Sequence, residues 1–174
     1  MRNSLADVVS VALRVLDEQG LEGCSMRRVA AELGVQPSAL YHHVHNKQSL
    51  LALMADEIVK PVRGSGPREV CEELRNTLLA VRDGAEVVAT ALALRPSVSK
   101  LEARLAGFVG RDGAQTLLIY TLGHAQLTQT RRQAFAFDAL VGDNSAEPSP
   151  KAAFLRGLDL ILRGLGQADS LSGA

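Results

Sequence analysis

The sequence predicts an all-α protein, on three observations: its composition, the spacing of its apolar residues, and the placing of its caps and glycines. Of 174 residues, 47% are hydrophobic but only 3% aromatic, and Ala and Leu dominate. That usage favours helices over the β-branched and aromatic residues of sheets.

The elements follow in order. Ser4, with Asp7 three residues on, reads as a capping box, and Leu5, Val8, Val9, Ala12, Leu13 and Leu16 follow at helical spacing until Gly20 stops the run. Ser25 caps a second, shorter helix with the apolar face Met26, Val29, Ala30 and Leu33, and Gly34 stands where the chain must turn. Pro37 opens a third helix at its first turn, where a missing N–H costs nothing, and the pattern carries it through Leu40 to about Val44. Asn46 caps a fourth, with Leu50, Leu51, Met54 and Ile58, ending before Pro61. The stretch Arg63–Pro67 is the strongest linker signal. Beyond it, the spacing predicts helices near 68–82, 85–94, 97–109, 112–134 and 150–166, with a loop at Val141–Pro150. The last two are apolar round much of their circumference, which predicts a symmetric subunit interface built from two copies of each.

Composition narrows the function. Cys24 and Cys71 stand alone, without a disulfide framework or zinc-knuckle spacing, and no signal or transit peptide is legible behind Met1, so a cytoplasmic location is expected. Six aromatic residues, none of them Trp, are too few for the stacking platforms of single-strand binders and most RNA readers. Between Gly113 and Thr130 no residue is charged, yet Gln115, Thr121, His124, Gln126 and Gln129 are too polar for lipid, and no membrane span is expected. Formal net charge is zero. Local charge is not: residues 24–50 carry Arg27, Arg28, Lys47 and three histidines against the single acid Glu32.

Two short helices crossing steeply need a small residue where they touch and a tight turn between them, and Ala30, Gly34 and Leu40 supply these within a helix-turn-helix at 25–44. The second helix of such a pair enters the major groove of duplex DNA. Cys24-Ser25-Met26-Arg27-Arg28-Val29-Ala30-Ala31-Glu32-Leu33-Gly34-Val35, followed by Leu40-Tyr41-His42-His43-Val44 and Asn46-Lys47, resembles the DNA-binding domain of the tetracycline-repressor family. The likeness runs from Ser4 to Ile58. By position it implies phosphate contacts from Ser25, Tyr41 and Lys47, and base-facing places for Arg27, Pro37, Ala39, His42 and His43. Arg27 has the fork that grips guanine, and Ala39 the methyl that meets thymine, while Pro37 is as well explained by starting its helix. A metal site at His42, His43 and His45 is not expected, because consecutive helical residues point about a hundred degrees apart and no cysteine or carboxylate joins them.

The resemblance continues through Leu78–Val87, Leu101–Ala106 and Leu122-Gly123-His124, which look like pieces of the tetracycline repressor core. Where the drug sensor holds its metal with a histidine and a later glutamate, this chain has Val88 and Arg132, so a metal-drug chelate is not the implied ligand and no cofactor is expected. An aliphatic interior with a few polar groups is expected instead, lined by Leu74, Leu101, Leu105 and Leu117 with Arg104, Tyr120 and His124. Arg104 either pairs with an anionic ligand or snorkels to solvent or to Glu102. His124 serves either as a core or dimer contact or as a ligand contact.

The expected organisation is a helix-turn-helix domain over residues 1–46, joined by the fourth helix to a helical ligand-binding and dimerisation domain over 47–174. The expected activity is that of a homodimeric repressor on a palindromic operator, released by a small molecule. An activator of the same family and a protein-binding adaptor remain alternatives. No nucleophile with a nearby base, paired carboxylates or phosphate loop supports an enzyme.

Overall fold

The computed structural model describes residues 4–94, 100–136 and 149–171. Among them the chain forms α1 (Leu5–Gly23), α2 (Met26–Glu32), α3 (Pro37–Leu40), α4 (Lys47–Val59), α5 (Pro67–Ala80), α6 (Gly84–Leu94), α7 (Lys100–Ala136) and α8 (Pro150–Leu171). No strand occurs among the described residues, so the all-α expectation holds.

Local rules account for most helix ends. The Ser4 hydroxyl accepts from the Asp7 N–H at 3.2 Å while the Asp7 carboxylate accepts from the Ser4 N–H at 2.7 Å. Donation from the Ser4 N–H and then from the Ser4 hydroxyl holds the Asp7 carboxyl below its ordinary range. Ser25 Oγ accepts from the Arg28 N–H at 3.2 Å and Asn46 Oδ1 from the Ser49 N–H at 2.8 Å. Gly34 has φ 66° and open space around its Cα. The turn therefore asks that position for a left-handed backbone rather than for smallness, and the Val35 N–H closes the end of α2 on the Ala30 carbonyl at 3.0 Å.

Two elements differ from the sequence pattern. The third helix is a single turn, because residues 41–43 tighten into bonds such as His43 N–H to Leu40 O at 2.9 Å. Leu40 and Val44, both 1% exposed, pin the ends of this turn, and Asn46 must emerge extended, at φ −162°, to cap α4. A longer helix has no room. The seventh helix is interrupted where Gly110 adopts φ 72°, which agrees with separate helices expected on either side of 110–111. Residues 97–99 and 141–148 of the expected seventh helix and loop lie outside the described residues, and α8 continues past 166 to Leu171.

By packing, the chain divides into two compact units, residues 1–61 with 77–96, and 62–76 with 97–174. In the first, α1 packs on α2 and α4, α2 on α3, and α4 on α6. Val8, Val15, Leu16, Leu40, Leu50 and Met54 are sealed in its interior, each such side chain contributing about 2 kcal/mol of transfer free energy. The corner between α5 and α6 clasps the end of α1. Arg82 Nη1 donates to the Asp17 and Glu18 carbonyls at 3.2 and 3.0 Å, and the Leu21 N–H donates to Asp83 Oδ2 at 2.8 Å. These bonds satisfy backbone groups left open where Gly20, at φ 72°, ends the regular turns of α1. In the second unit α7 packs on α8, and Val70, Cys71, Leu74, Leu105, Leu117, Phe154 and Leu158 are buried. No helix among the described residues is long and apolar enough to cross a membrane.

Burial sets the chemistry of both thiols. It pushes the Cys71 pKa up to about 11 and raises that of Cys24 as well, against the pull of the Lys47 ammonium. Since the thiolate is the reactive form, iodoacetamide at pH 7 is expected to leave both cysteines unmodified in the native protein and to label both in denaturant. Mass spectrometry of the two samples checks this, and native labelling of Cys71 at the rate of a free thiol would contradict it.

Candidate functional site

In the first unit, burial sorts the residues of α2 and α3. Val29 and Ala30 are fully buried and Leu40 and Val44 nearly so. Their packing leaves Arg27, Arg28, Tyr41, His42, His43 and Lys47 exposed, with Tyr41 49% accessible. Ser25 stands exposed at the N-terminus of α2, its oxygen accepting from Arg28 N–H and its own proton left to donate. Pro37 and Ala39 are half-buried on the single turn of α3. The Lys47 ammonium lies 3.4 Å from the Leu21 carbonyl, on an otherwise exposed side chain. Glu32, the single acid between residues 24 and 50, faces Arg14 at 3.7 Å. Its charge is thereby partnered, and the exposed face of α2 and α3 presents cations and imidazoles.

In the second unit, Leu74, Leu105 and Leu117 are fully buried and Leu101 is 8% exposed. Tyr120, half-buried, donates its hydroxyl to the Phe154 carbonyl at 2.9 Å and stacks on the Phe154 ring at a centroid distance of 5.4 Å. His124 meets the same ring edge-on at 5.1 Å. Arg104 is half-buried and bound at its head rather than free in solvent. Its Nη1 donates to the Val62 carbonyl at 3.1 Å and its Nη2 to the Gly64 carbonyl at 2.7 Å, so it binds the segment that follows α4.

Arg75 is the residue that sequence reasoning missed. It is 5% exposed, its Nε is 3.4 Å from His124 Nδ1, and its guanidinium lies over the Phe154 ring at 5.2 Å. The available signal was its register: Val70, Cys71 and Leu74 define the buried face of α5, and Arg75 follows Cys71 by four residues. Burial lowers the Arg75 pKa, with Arg132 acting in the same direction. The His124 pKa is likewise lowered, first by burial and then by Arg75 and Arg131. A neutral imidazole whose Nδ1 accepts from Arg75 carries its proton on Nε2. Thr128 donates to the His124 carbonyl at 2.7 Å, which fixes the turn of helix bearing the ring. Phe154, on α8, is 1% exposed and is the common neighbour of Arg75, Tyr120 and His124.

Comparison with known proteins is consistent across the chain. A family model described as bacterial regulatory proteins, tetR family, matches residues 8–54. The class C tetracycline repressor protein of Escherichia coli is 34% identical over 195 aligned positions, covering 91% of this chain and 88% of that protein. Among solved structures, BioQ with its natural double-stranded DNA operator superposes with a TM-score of 0.79 at 32% identity, covering 94% of this chain and 98% of the other. ActR of Streptomyces coelicolor, in complex with (S)-DNPA, superposes with a TM-score of 0.75 at 26% identity over the full length of both chains.

Proposed function

This chain belongs to the tetR family of bacterial regulatory proteins, and on that premise we propose that it is a ligand-responsive repressor in which residues 1–46 read duplex DNA and residues 47–174 bind the effector and dimerise. The observation that carries the reading is the sorting on α2 and α3, where the buried set Val29, Ala30, Leu40 and Val44 leaves Arg27, Tyr41, His43 and Lys47 outward. Ser25, Tyr41 and Lys47 position the protein on phosphates, while Arg27, Pro37, Ala39, His42 and His43 face base edges. The protein acts in the cytoplasm and carries out no catalysis of its own. The complex of BioQ with its operator supports the DNA reading, and that of ActR with (S)-DNPA supports an effector.

A single short recognition helix reads too few bases, so two copies joined through α7 and α8 grip a palindrome. The effector lies among Leu74, Leu101, Leu105 and Leu117, beside Tyr120 and His124, with Arg104 holding the segment after α4. An effector releases DNA only by favouring a dimer whose recognition helices are wrongly spaced, and it shifts the balance no further than its own preference between the two states. Helix α4 is the lever: it begins at Lys47, directly after the reader, and packs on α6.

Selection from a random duplex library, followed by footprinting, tests this reading. The selected site is expected to show two-fold symmetry. On it, Lys47→Ala weakens all sequences alike, whereas Arg27→Ala relaxes preference at one position of each half-site by about 1–3 kcal/mol. A protected site without symmetry, or identical behaviour of the two variants across the library, refutes the assignment of roles.

A further inference from the structure

We infer that Arg75 is the anchor for an acidic group of the effector, which makes the effector a small monocarboxylic acid with a flat, apolar body; this rests on the effector-responsive reading above. A guanidinium offers five N–H donors in a planar fork. In Arg75, 5% exposed, one of them reaches His124 Nδ1 at a long 3.4 Å, and the remaining contact is the face of Phe154. Among the described residues no ion pair joins Arg75 to a carboxylate; pairs such as Arg14 with Glu32, and Arg68 with Glu72 and Asp159, do not include it. Burial and then a second cation, Arg132, act against its charge, and Tyr120 acts the other way.

A buried charge in such surroundings is costly until an anion arrives. A carboxylate fits the fork with two parallel hydrogen bonds, and one negative charge balances one buried positive charge. The walls describe the rest of the molecule. Phe154 and Tyr120, stacked with an interplanar angle of 11°, and the ring of His124 make the immediate surroundings of the cation aromatic. Tyr120 has spent its hydroxyl proton on the Phe154 carbonyl, so it does not compete for the acid. Arg104 is the other arginine expected here, but two of its donors are engaged with the Val62 and Gly64 carbonyls. Of these two arginines, Arg75 is the one with donors left for a ligand.

The test uses the full-length protein and calorimetric titration with benzoate, phenylacetate and 2-naphthoate, each beside its neutral amide, with inorganic phosphate as a further arm. At least one acid is expected to bind about tenfold or more tightly than its amide. Arg75→Gln is expected to erase that preference and Arg75→Lys to keep part of it, while both bind the selected operator within about twofold of the parent. Arg75→Met serves if the glutamine variant is unfolded by circular dichroism. Binding of no acid, equal binding of acid and amide, phosphate binding in place of the acids, or a preference that survives Arg75→Gln would each overturn the proposal. Failure of the repressor reading shows separately, as a parent protein that binds no operator while still preferring acids to amides.

Discussion

Raising salt from about 50 mM to about 200 mM is expected to weaken operator binding about a thousandfold. The reader exposes Arg27, Arg28 and Lys47 in each protomer, so a dimer brings about six cations to the duplex, and releasing the matching counterions gives a logarithmic slope of about −5. The chain as a whole has no net charge to add to this, with 19 basic and 19 acidic side chains. Its long-range attraction for DNA is correspondingly slight, and the salt dependence reports the reader's own contacts. Lys47→Ala removes two of those cations from the dimer, so its slope should fall by about 2 and the same salt change should then cost about a hundredfold. Fluorescence anisotropy with a labelled operator across the salt range checks both values. A slope that does not change in Lys47→Ala would take Lys47 off the phosphate backbone.

The second large effect is expected from Leu160→Glu, which should convert the dimer to monomers and lower operator affinity by about a hundredfold or more through loss of bivalent grip. Helices α7 and α8 bury one another's inner faces but leave Leu160 70%, Ile119 64% and Leu127 53% exposed. On α7, exposed Ile119, Gly123 and Leu127 repeat at four-residue intervals, and no neighbouring atom fills the space beside Gly123, so a second helix can approach closely there. Apolar surface of this extent is covered in a two-fold interface, where a substitution appears twice. Two carboxylates would then be desolvated without partners, a cost that association does not offset. Light scattering gives the mass, and circular dichroism should show the helices of the monomer intact. A dimer that persists with unchanged operator affinity would place the interface elsewhere.

Much of the fold was legible because helix ends obey short-range rules. Ser4, Ser25, Gly34, Pro37 and Asn46 each act within about five residues of themselves, and all five perform the cap or turn that their residue type implies. What escaped was set by partners far along the chain. Arg75 reads on paper as one more arginine on an amphipathic helix, and only His124, 49 residues away, and Phe154 show it to be interior. Arg104 admitted two readings, ligand or solvent. The carbonyls of Val62 and Gly64, 42 and 40 residues distant, supply a third. The length of the third helix escaped for a related reason. Apolar spacing continues through Val44, but the extended backbone that Asn46 needs for its cap shortens the element from outside.

The clasp between Arg82, Asp83 and the end of α1 bears on the order in which the chain is made. A ribosome delivers α1 to α4 first, then the fifteen residues 62–76 that belong to the other compact unit, and only afterwards the residues from 77 that complete the first. Bonds spanning 62 to 65 positions cannot form until that later segment emerges, and domains fold as units during synthesis. The DNA reader of a nascent chain therefore stays unfinished, with the Asp17 and Glu18 carbonyls and the Leu21 N–H open, until synthesis has passed into the portion that senses the effector. A chain that stalls or is cut at Pro61 would yield a reader without its last packing layer, an easier target for proteolysis than for an operator. Only a chain carried past α6 presents a finished first unit to DNA.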